Sequence, residues 1–261
     1  MPHDPSLRSS FDEVALLYDQ ARPGYPEALI EDAINLSGIP PGGRILEIGC
    51  GPGKATLPFA RRGYRVLCLE LGPALAELAA EHCRPYPAVE IQATAFEDWT
   101  LQPRAFDLVL SAEAFHWIEP ELGYAKAAAA LKEGGALALC WNGHLGGDAD
   151  FLQKVESLYG DIAPSLAPSA REAPEVLEQR TLADFQAAGQ FGEVVVRRYP
   201  WTVTYTADQY VNLLRTYSPI QALTEETRRQ LLAGIRSLIE KRGGAMESRY
   251  SSVLYVGPVA R

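Results

Sequence analysis

Gly43-Arg44-Ile45-Leu46-Glu47-Ile48-Gly49-Cys50-Gly51-Pro52-Gly53-Lys54 is the stretch whose reading decides the fold. Ile45, Leu46 and Ile48 read as a short buried parallel strand, the three glycines as a tight loop at its carboxyl end, and Ala55-Thr56-Leu57-Pro58-Phe59-Ala60 as the first turns of a helix. Glycine suits such a loop because the backbone must take conformations closed to other residues and approach a ligand with no Cβ in the way. A dinucleotide fingerprint would want a third small residue at position 54, where Lys54 stands, and no Gly-Lys-Ser/Thr follows a long glycine loop as a phosphate-binding loop requires.

Outward from this loop, strand and helix patterns alternate. Arg65 to Glu70 reads as a second strand ending in an acid, and Leu71-Gly72-Pro73 starts a helix to about Cys83. Val89 to Ala93 reads as a third strand and Phe106 to Ser111 as a fourth. A helix is expected over Ala125–Lys132 and a fifth strand over Ala136–Trp141. The alternation from 44 to 141 specifies a parallel sheet with helices on both faces. Before it, Phe11–Gln20 and Glu27–Ser37 have helical spacing, separated by the two prolines of Ala21-Arg22-Pro23-Gly24-Tyr25-Pro26, while residues 1–10 read as a loose polar end. After Asn142 the pattern loosens: helices at about 149–160 and 174–189, a long strand over Glu193–Tyr205, helices at about 207–216 and 224–241, and a last strand over Ser251–Val256.

The glycine spacing Gly49-x-Gly51-x-Gly53, with Glu47 two residues ahead, resembles the S-adenosylmethionine loop of the class I (Rossmann-like) methyltransferases. Ala112-Glu113-Ala114-Phe115-His116-Trp117 after the fourth strand, and Phe11…Tyr18-Asp19…Arg22-Pro23-Gly24-Tyr25-Pro26 near the start, are similar to the trans-aconitate methyltransferase-like, small-molecule group of that family. The resemblance implies an α/β, three-layer, doubly wound, mostly parallel seven-stranded sheet with an antiparallel last strand and a helical insertion near the C-terminus. It implies an N-terminal helical lid over 1–43, a cofactor-binding core over 44–141, and over 142–261 the rest of the same domain with a helical insertion at the substrate pocket. S-Adenosyl-L-methionine is the implied cofactor, S-adenosyl-L-homocysteine its product, and the acceptor a small molecule methylated directly on oxygen or nitrogen, a carboxylate among the candidates.

Cofactor contacts are expected from Glu47, Gly49, Cys50, Gly51 and Gly53, from Glu70 and Leu71, from Thr94, Ala95 and Phe96, and from Ser111, Ala112 and Glu113. Glu70 lies 21 positions after Gly49, near the spacing of about 20 residues at which a Rossmann acid accepts from ribose hydroxyls. Thr94, Ala95 and Phe96 match the turn that covers the adenine in the resembled family, with Thr94 where many members carry an acid. Tyr18 and Arg22 stand open between helix packing and ligand contact, and Phe11 reads as packing on the sheet. Tyr25, Trp117, Trp201 and Tyr217 are candidate walls of the acceptor pocket, with Arg22 or Arg215 available to pair with an acidic substrate. His116, near neutrality in its unperturbed pKa, is the candidate general base, or an orienting group if the acceptor is already ionised.

Composition bounds the rest. At 261 residues with 47% hydrophobic content the chain can bury a large core. A net charge of −9 argues against a broad nucleic-acid footprint, and no Asn/Asp-Pro-Pro-Tyr follows the fourth strand as in enzymes that methylate base amino groups. Cys50, Cys68, Cys83 and Cys140 have no metal-ligand spacing, so no metal is expected, and Cys68 and Cys140 read as core. No run is long enough for a membrane span and Met1 is followed by His3, Asp4 and Arg8 and not by an apolar signal core, which makes the cytoplasm the expected compartment; a monomer or homodimer is the expected state. Two other readings stand beside the methyltransferase: a nicotinamide-dependent oxidoreductase, disfavoured by Lys54, and a non-catalytic S-adenosylmethionine-binding regulatory or scaffold protein.

Overall fold

The computed structural model describes residues 11–146, 149–167 and 173–260; residues 1–10, expected from the sequence as a loose polar end, lie outside the described residues. Strands β1 (Arg44–Ile48), β2 (Arg65–Glu70), β3 (Val89–Ala93), β4 (Phe106–Ala112), β5 (Leu131–Gly146), β6 (Val195–Thr206) and β7 (Ala245–Pro258) form one sheet. Their order is β3-β2-β1-β4-β5-β7-β6. The first five pair in parallel, and β7 runs antiparallel to both β5 and β6. This is the doubly wound, mostly parallel sheet expected from the sequence, with its order reversing beside β1.

The near-continuous apolar runs of β1, β2 and β4 follow from burial on both faces. Ile45, Cys68, Leu108 and Leu110 point to one side, where α2 (Glu27–Ser37) and α3 (Thr56–Arg61) deliver Leu29, Ile30, Ala33 and Phe59. Leu46, Ile48, Leu67, Leu69 and Val109 point to the other, against Tyr124 and Ala127 of α5 (Pro120–Ala130) and Phe185 of α7 (Pro174–Ala188). The helix between β2 and β3, α4 (Pro73–Cys83), packs Ala79 on the first side. Gly38 ends α2 with φ 65°, a left-handed cap that glycine adopts without a Cβ penalty.

A third apolar cluster lies off the sheet. It joins α6 (Ala149–Ile162), α8 (Ala207–Arg215), α9 (Ser218–Gln221) and α10 (Glu225–Glu240) to Tyr205, Met246 and Tyr250 on β6 and β7. Thr206 starts α8 with a capping box shared with Gln209.

Several boundaries differ from the sequence expectation. The helix expected over Ala125–Lys132 instead runs from Pro120 to Ala130, because Pro120 suits a first helical turn and the Glu119 carboxylate accepts from Leu122 N–H. Leu131 is extended and pairs with Phe106, and Lys132 reaches Asp107 at 2.8 Å, so both leave the helix. β5 continues past Trp141 to Gly146 along β7, and β7 begins at Ala245, where its first residues pair with β6. Alternation alone had marked only their apolar middles. The short helix α9 carries no periodic signal of its own, and Phe11 starts a single 3₁₀ turn ahead of α1 (Ala15–Ala21).

Phe185 is 1% exposed, with ring centroids 4.9 Å from Tyr124 and 5.4 Å from Phe191, and is the one buried side chain of α7. Phe185→Ala should lower unfolding stability by about 3–5 kcal/mol, read as a fall in the urea midpoint with an unchanged slope.

Candidate active site

The carboxyl ends of β1, β2 and β4 meet at one edge, and their exits are locked together. Gly49 N–H donates to Leu69 O at 2.8 Å, Gly51 N–H to Glu70 Oε2 at 2.8 Å, and Gly72 N–H to Glu70 Oε1 at 2.9 Å. Gly49 has φ +68°, and a Cβ there would stand 2.3 Å from the Ala114 methyl. Only glycine allows that approach. The adjoining Glu113 is a non-glycine residue at φ 60°, a strained conformation of the kind that clusters at functional sites.

Above this edge lie two cavities of about 230 Å³ and about 150 Å³. Tyr18, Arg22, Gly49, Gly51, Ala112, Glu113 and Tyr217 line both. The first extends to Glu70, Leu71, Thr94 and Phe96 on one side and to His116 and Trp117 on another. The second extends to Tyr25, Glu47, Cys50, Asn142, His144 and Tyr250. The segment 11–22 spans the rim on three polar anchors. Asp12 Oδ1 accepts from Ala74 N–H at 2.8 Å and Leu75 N–H at 3.1 Å at the start of α4. Asp19 is bound by Lys54 Nζ through its carbonyl at 2.6 Å and faces His82 Nε2 at 3.5 Å. Arg22 donates from Nε to Thr216 Oγ1 at 2.8 Å and from Nη2 to Thr216 O at 3.2 Å.

The charged groups differ in their surroundings. Arg22 is sandwiched by aromatic rings, 4.1 Å from the Tyr217 centroid and 5.2 Å from Tyr18, and its bonds to Thr216 leave further guanidinium donors at the cavity walls. Glu113 is raised by burial, but Asn142 N–H donates to its carboxylate and the Arg22 charge faces it, and both favour the ionised form. Glu47 has no such support: burial pushes it up to about 8, with the Thr56 hydrogen bond opposing. Trp141 Nε1–H donates to His116 Nδ1 at 3.1 Å.

Most of the residues expected from the sequence come together here. Gly53, Ala95, Ser111, Trp201 and Arg215 line neither cavity. Ser111 Oγ–H is taken by Ile48 O at 2.9 Å, Trp201 stacks on Tyr250 at 4.7 Å and donates to Ser252, and Arg215 is exposed at the end of α8. Phe11 does not pack on the sheet; its ring meets Tyr18 and Trp117 at the cavity rim. Asn142, His144 and Tyr250 were not expected. They lie on the parts of β5 and β7 that alternation did not mark as strand, and no local motif points to them.

The donor set fits S-adenosylmethionine. An unpartnered buried Glu47 oxygen, a strand-end Glu70 and a glycine loop that excludes a Cβ supply acceptors and clearance for a ligand carrying an ammonium group and ribose hydroxyls. Among the described residues no group of three or more His, Cys, Asp or Glu could hold a metal ion, and no helix is long and apolar enough to cross a membrane.

Residues 46–139 match a family model described as a methyltransferase domain. An uncharacterized methyltransferase of Mycobacterium tuberculosis is 28% identical over 91% of this chain and 91% of its own length. An uncharacterized methyltransferase-like protein of Schizosaccharomyces pombe is 25% identical over 83% of this chain and 80% of its own. Among solved structures, phosphoethanolamine N-methyltransferase 2 of Haemonchus contortus, in complex with phosphomonomethylethanolamine and S-adenosylhomocysteine, shares the fold. It has a TM-score of 0.58 at 16% identity, covering 97% of this chain and 60% of that one.

If Glu70 accepts from the ribose, Glu70→Ala should weaken S-adenosylhomocysteine binding roughly 10- to 100-fold, the weight of hydrogen bonds to a charged group. Calorimetric titration reads this directly, and an unchanged affinity removes Glu70 from the cofactor contacts.

Proposed function

We propose, from the premise that the chain is a class I, Rossmann-like, S-adenosylmethionine-dependent methyltransferase, that it moves the methyl group directly onto an oxygen or nitrogen of a small molecule, with a carboxylate oxygen the acceptor its side chains suit best. The observation that carries the carboxylate reading is the bond from Trp141 Nε1–H to His116 Nδ1. An indole nitrogen can only donate, so Nδ1 accepts and the neutral imidazole carries its proton on Nε2. In that tautomer His116 offers a donor where a general base would need a lone pair.

A carboxylate acceptor is already ionised at neutral pH. It needs orienting, not deprotonating. His116 Nε2–H and the Arg22 guanidinium, both at the wall of the first cavity, supply a donor and a cation for that task. S-Adenosylmethionine held by the residues lining the two cavities would supply a methyl group on a positively charged sulfur, and an acceptor oxygen that is already ionised would take that methyl, with S-adenosylhomocysteine as the leaving group and no proton to remove. Positioning in a water-poor cavity then carries most of the acceleration.

On this reading Glu70, Leu71, Thr94 and Phe96 hold the adenosine side, and Glu47, Gly49, Glu113 and Tyr18 the amino-acid end. His116, Trp117, Tyr25 and Tyr217 wall the acceptor, joined by Asn142 and Tyr250. Residues 1–43 act as the lid, pinned by Asp12, Asp19 and Arg22, over a cofactor-binding core of 44–141, and 142–261 contribute the acceptor wall. The working compartment is the cytoplasm.

A panel of carboxylic acids, phenols and amines assayed with methyl-labelled cofactor should yield methyl esters. Methylation of phenols or amines with none of carboxylates would sink the carboxylate assignment. At saturating cofactor, turnover on the preferred acid should be flat with pH above the acceptor's own ionisation. Trp141→Phe, which removes the donor that fixes the His116 tautomer, should lower turnover on the preferred acid.

A further inference from the structure

Glu47 is the most deeply buried carboxylate of the site, 1% exposed at the end of β1. Oε2 accepts from Thr56 Oγ1–H at 2.7 Å and lies 3.8 Å from Cys68 Sγ, while Oε1 is buried with no hydrogen-bond partner. Glu47 is among the residues lining the second cavity, with its Oε1 sealed behind that lining. The ionisable groups acting on or facing it are Cys68 and Glu70 from β2, Cys50 from the glycine loop, Cys83 from α4, Cys140 from β5 and Tyr25 from the N-terminal segment. None of them is a cation, and His144 of β5, which lines the same cavity, is engaged through Nε2 by Ser248 Oγ. Lys54, in the same loop, is turned onto Asp19, and Arg22 across the cavity is bonded to Thr216 and faces Glu113.

An ionised carboxylate with one oxygen unpaired and no facing cation is far costlier to bury than a neutral acid. Burial accordingly holds this acid near 8, and Glu70 adds to the shift. Glu113 offers the contrast, since it has both a backbone donor and the facing Arg22. An ammonium group entering the second cavity would bring Glu47 the two things it lacks, an N–H donor for Oε1 and a positive charge, and both favour the ionised form.

We propose that Glu47 rests as the neutral acid and surrenders its proton to solvent when the cofactor's ammonium group binds beside it, so that cofactor capture is coupled to release of one proton. This rests on the reading of the site as an S-adenosylmethionine site. Cofactor affinity then rises with pH, roughly tenfold per unit below about 8 and little above it. The chemistry downstream needs no proton from Glu47.

Calorimetric titration of S-adenosylhomocysteine into the wild type at pH 7, in two buffers of different ionisation enthalpy, should give a release approaching one proton. Adenosine, which lacks the ammonium, should bind with none, and Glu47→Gln should bind S-adenosylhomocysteine more weakly with none. Binding of S-adenosylhomocysteine without release, or the same release with adenosine, overturns the coupling and leaves the cofactor reading standing; no binding at all overturns both. A ligand-free check is independent of the cofactor. Because the folded acid lies above its ordinary 4.5, its contribution to stability is full below that value and is lost as pH rises through about 8. The melting temperature of the wild type should therefore fall relative to Glu47→Gln over that range, and parallel curves would count against a neutral Glu47.

Discussion

One carboxylate holds the carboxyl edge of the parallel strands together. Glu70, at the end of β2, accepts from Gly51 N–H on the loop leaving β1 and from Gly72 N–H on the turn into α4. Two exits of the sheet that would otherwise leave donors unpaired are thereby fixed to one side chain. The third exit, from β4, is set by contact instead: Glu113 at positive φ turns Ala114 onto the bare Cα of Gly49. The cavities are the space left above these three exits. Their shape depends on a close approach that any side chain at Gly49 would prevent.

A second set of contacts joins this edge to distant parts of the chain. Arg22 and Thr216 are 194 positions apart, yet their paired hydrogen bonds tie the N-terminal segment to the turn after α8. Asn142 does similar work from β5. Its backbone N–H donates to Glu113, its Nδ2 to Gly24 O at 3.2 Å, and its Oδ1 accepts from Ser252, which in turn accepts from Trp201. The N-terminal segment, the loop after β4 and the sheet edge are thus connected through polar groups, most of them part-buried and costly to leave unpaired.

The parallel half of the sheet was legible because its physics is local and repeated. Buried strands need apolar runs, the loop needs glycines, and Arg65–Glu70 and Val89–Ala93 emerge in the structure with the bounds their composition suggests. The acids at strand ends were legible for the same reason. The antiparallel part was not, because residues such as Asn142, Gly143 and His144 are held in β5 by pairing with Ser252, Ser251 and Tyr250, partners more than 100 positions away. That pairing also brings Asn142, His144 and Tyr250 to the cavity. Ser111 and Trp201 lie outside both cavities for a related reason. Pattern could assign each to its strand, but hydrogen bonds to Ile48 and Ser252 decide where their polar atoms go.

The length of β5, β6 and β7 has a bearing on how such a molecule can change. β1 and β4 pair over only Ile45–Glu47, whereas β6 and β7 pair continuously from Val195 to Thr206. The antiparallel strands overrun the parallel ones and carry, on their far ends, the third apolar cluster with its own helices. The glycine-tight floor and the part of the lining supplied by Tyr217 and Tyr250 therefore rest on different stretches of chain with separate apolar clusters. Substitutions among the helices of the third cluster can alter that part of the cavity lining while the glycine-tight floor, which rests on the clusters of the sheet itself, keeps its form.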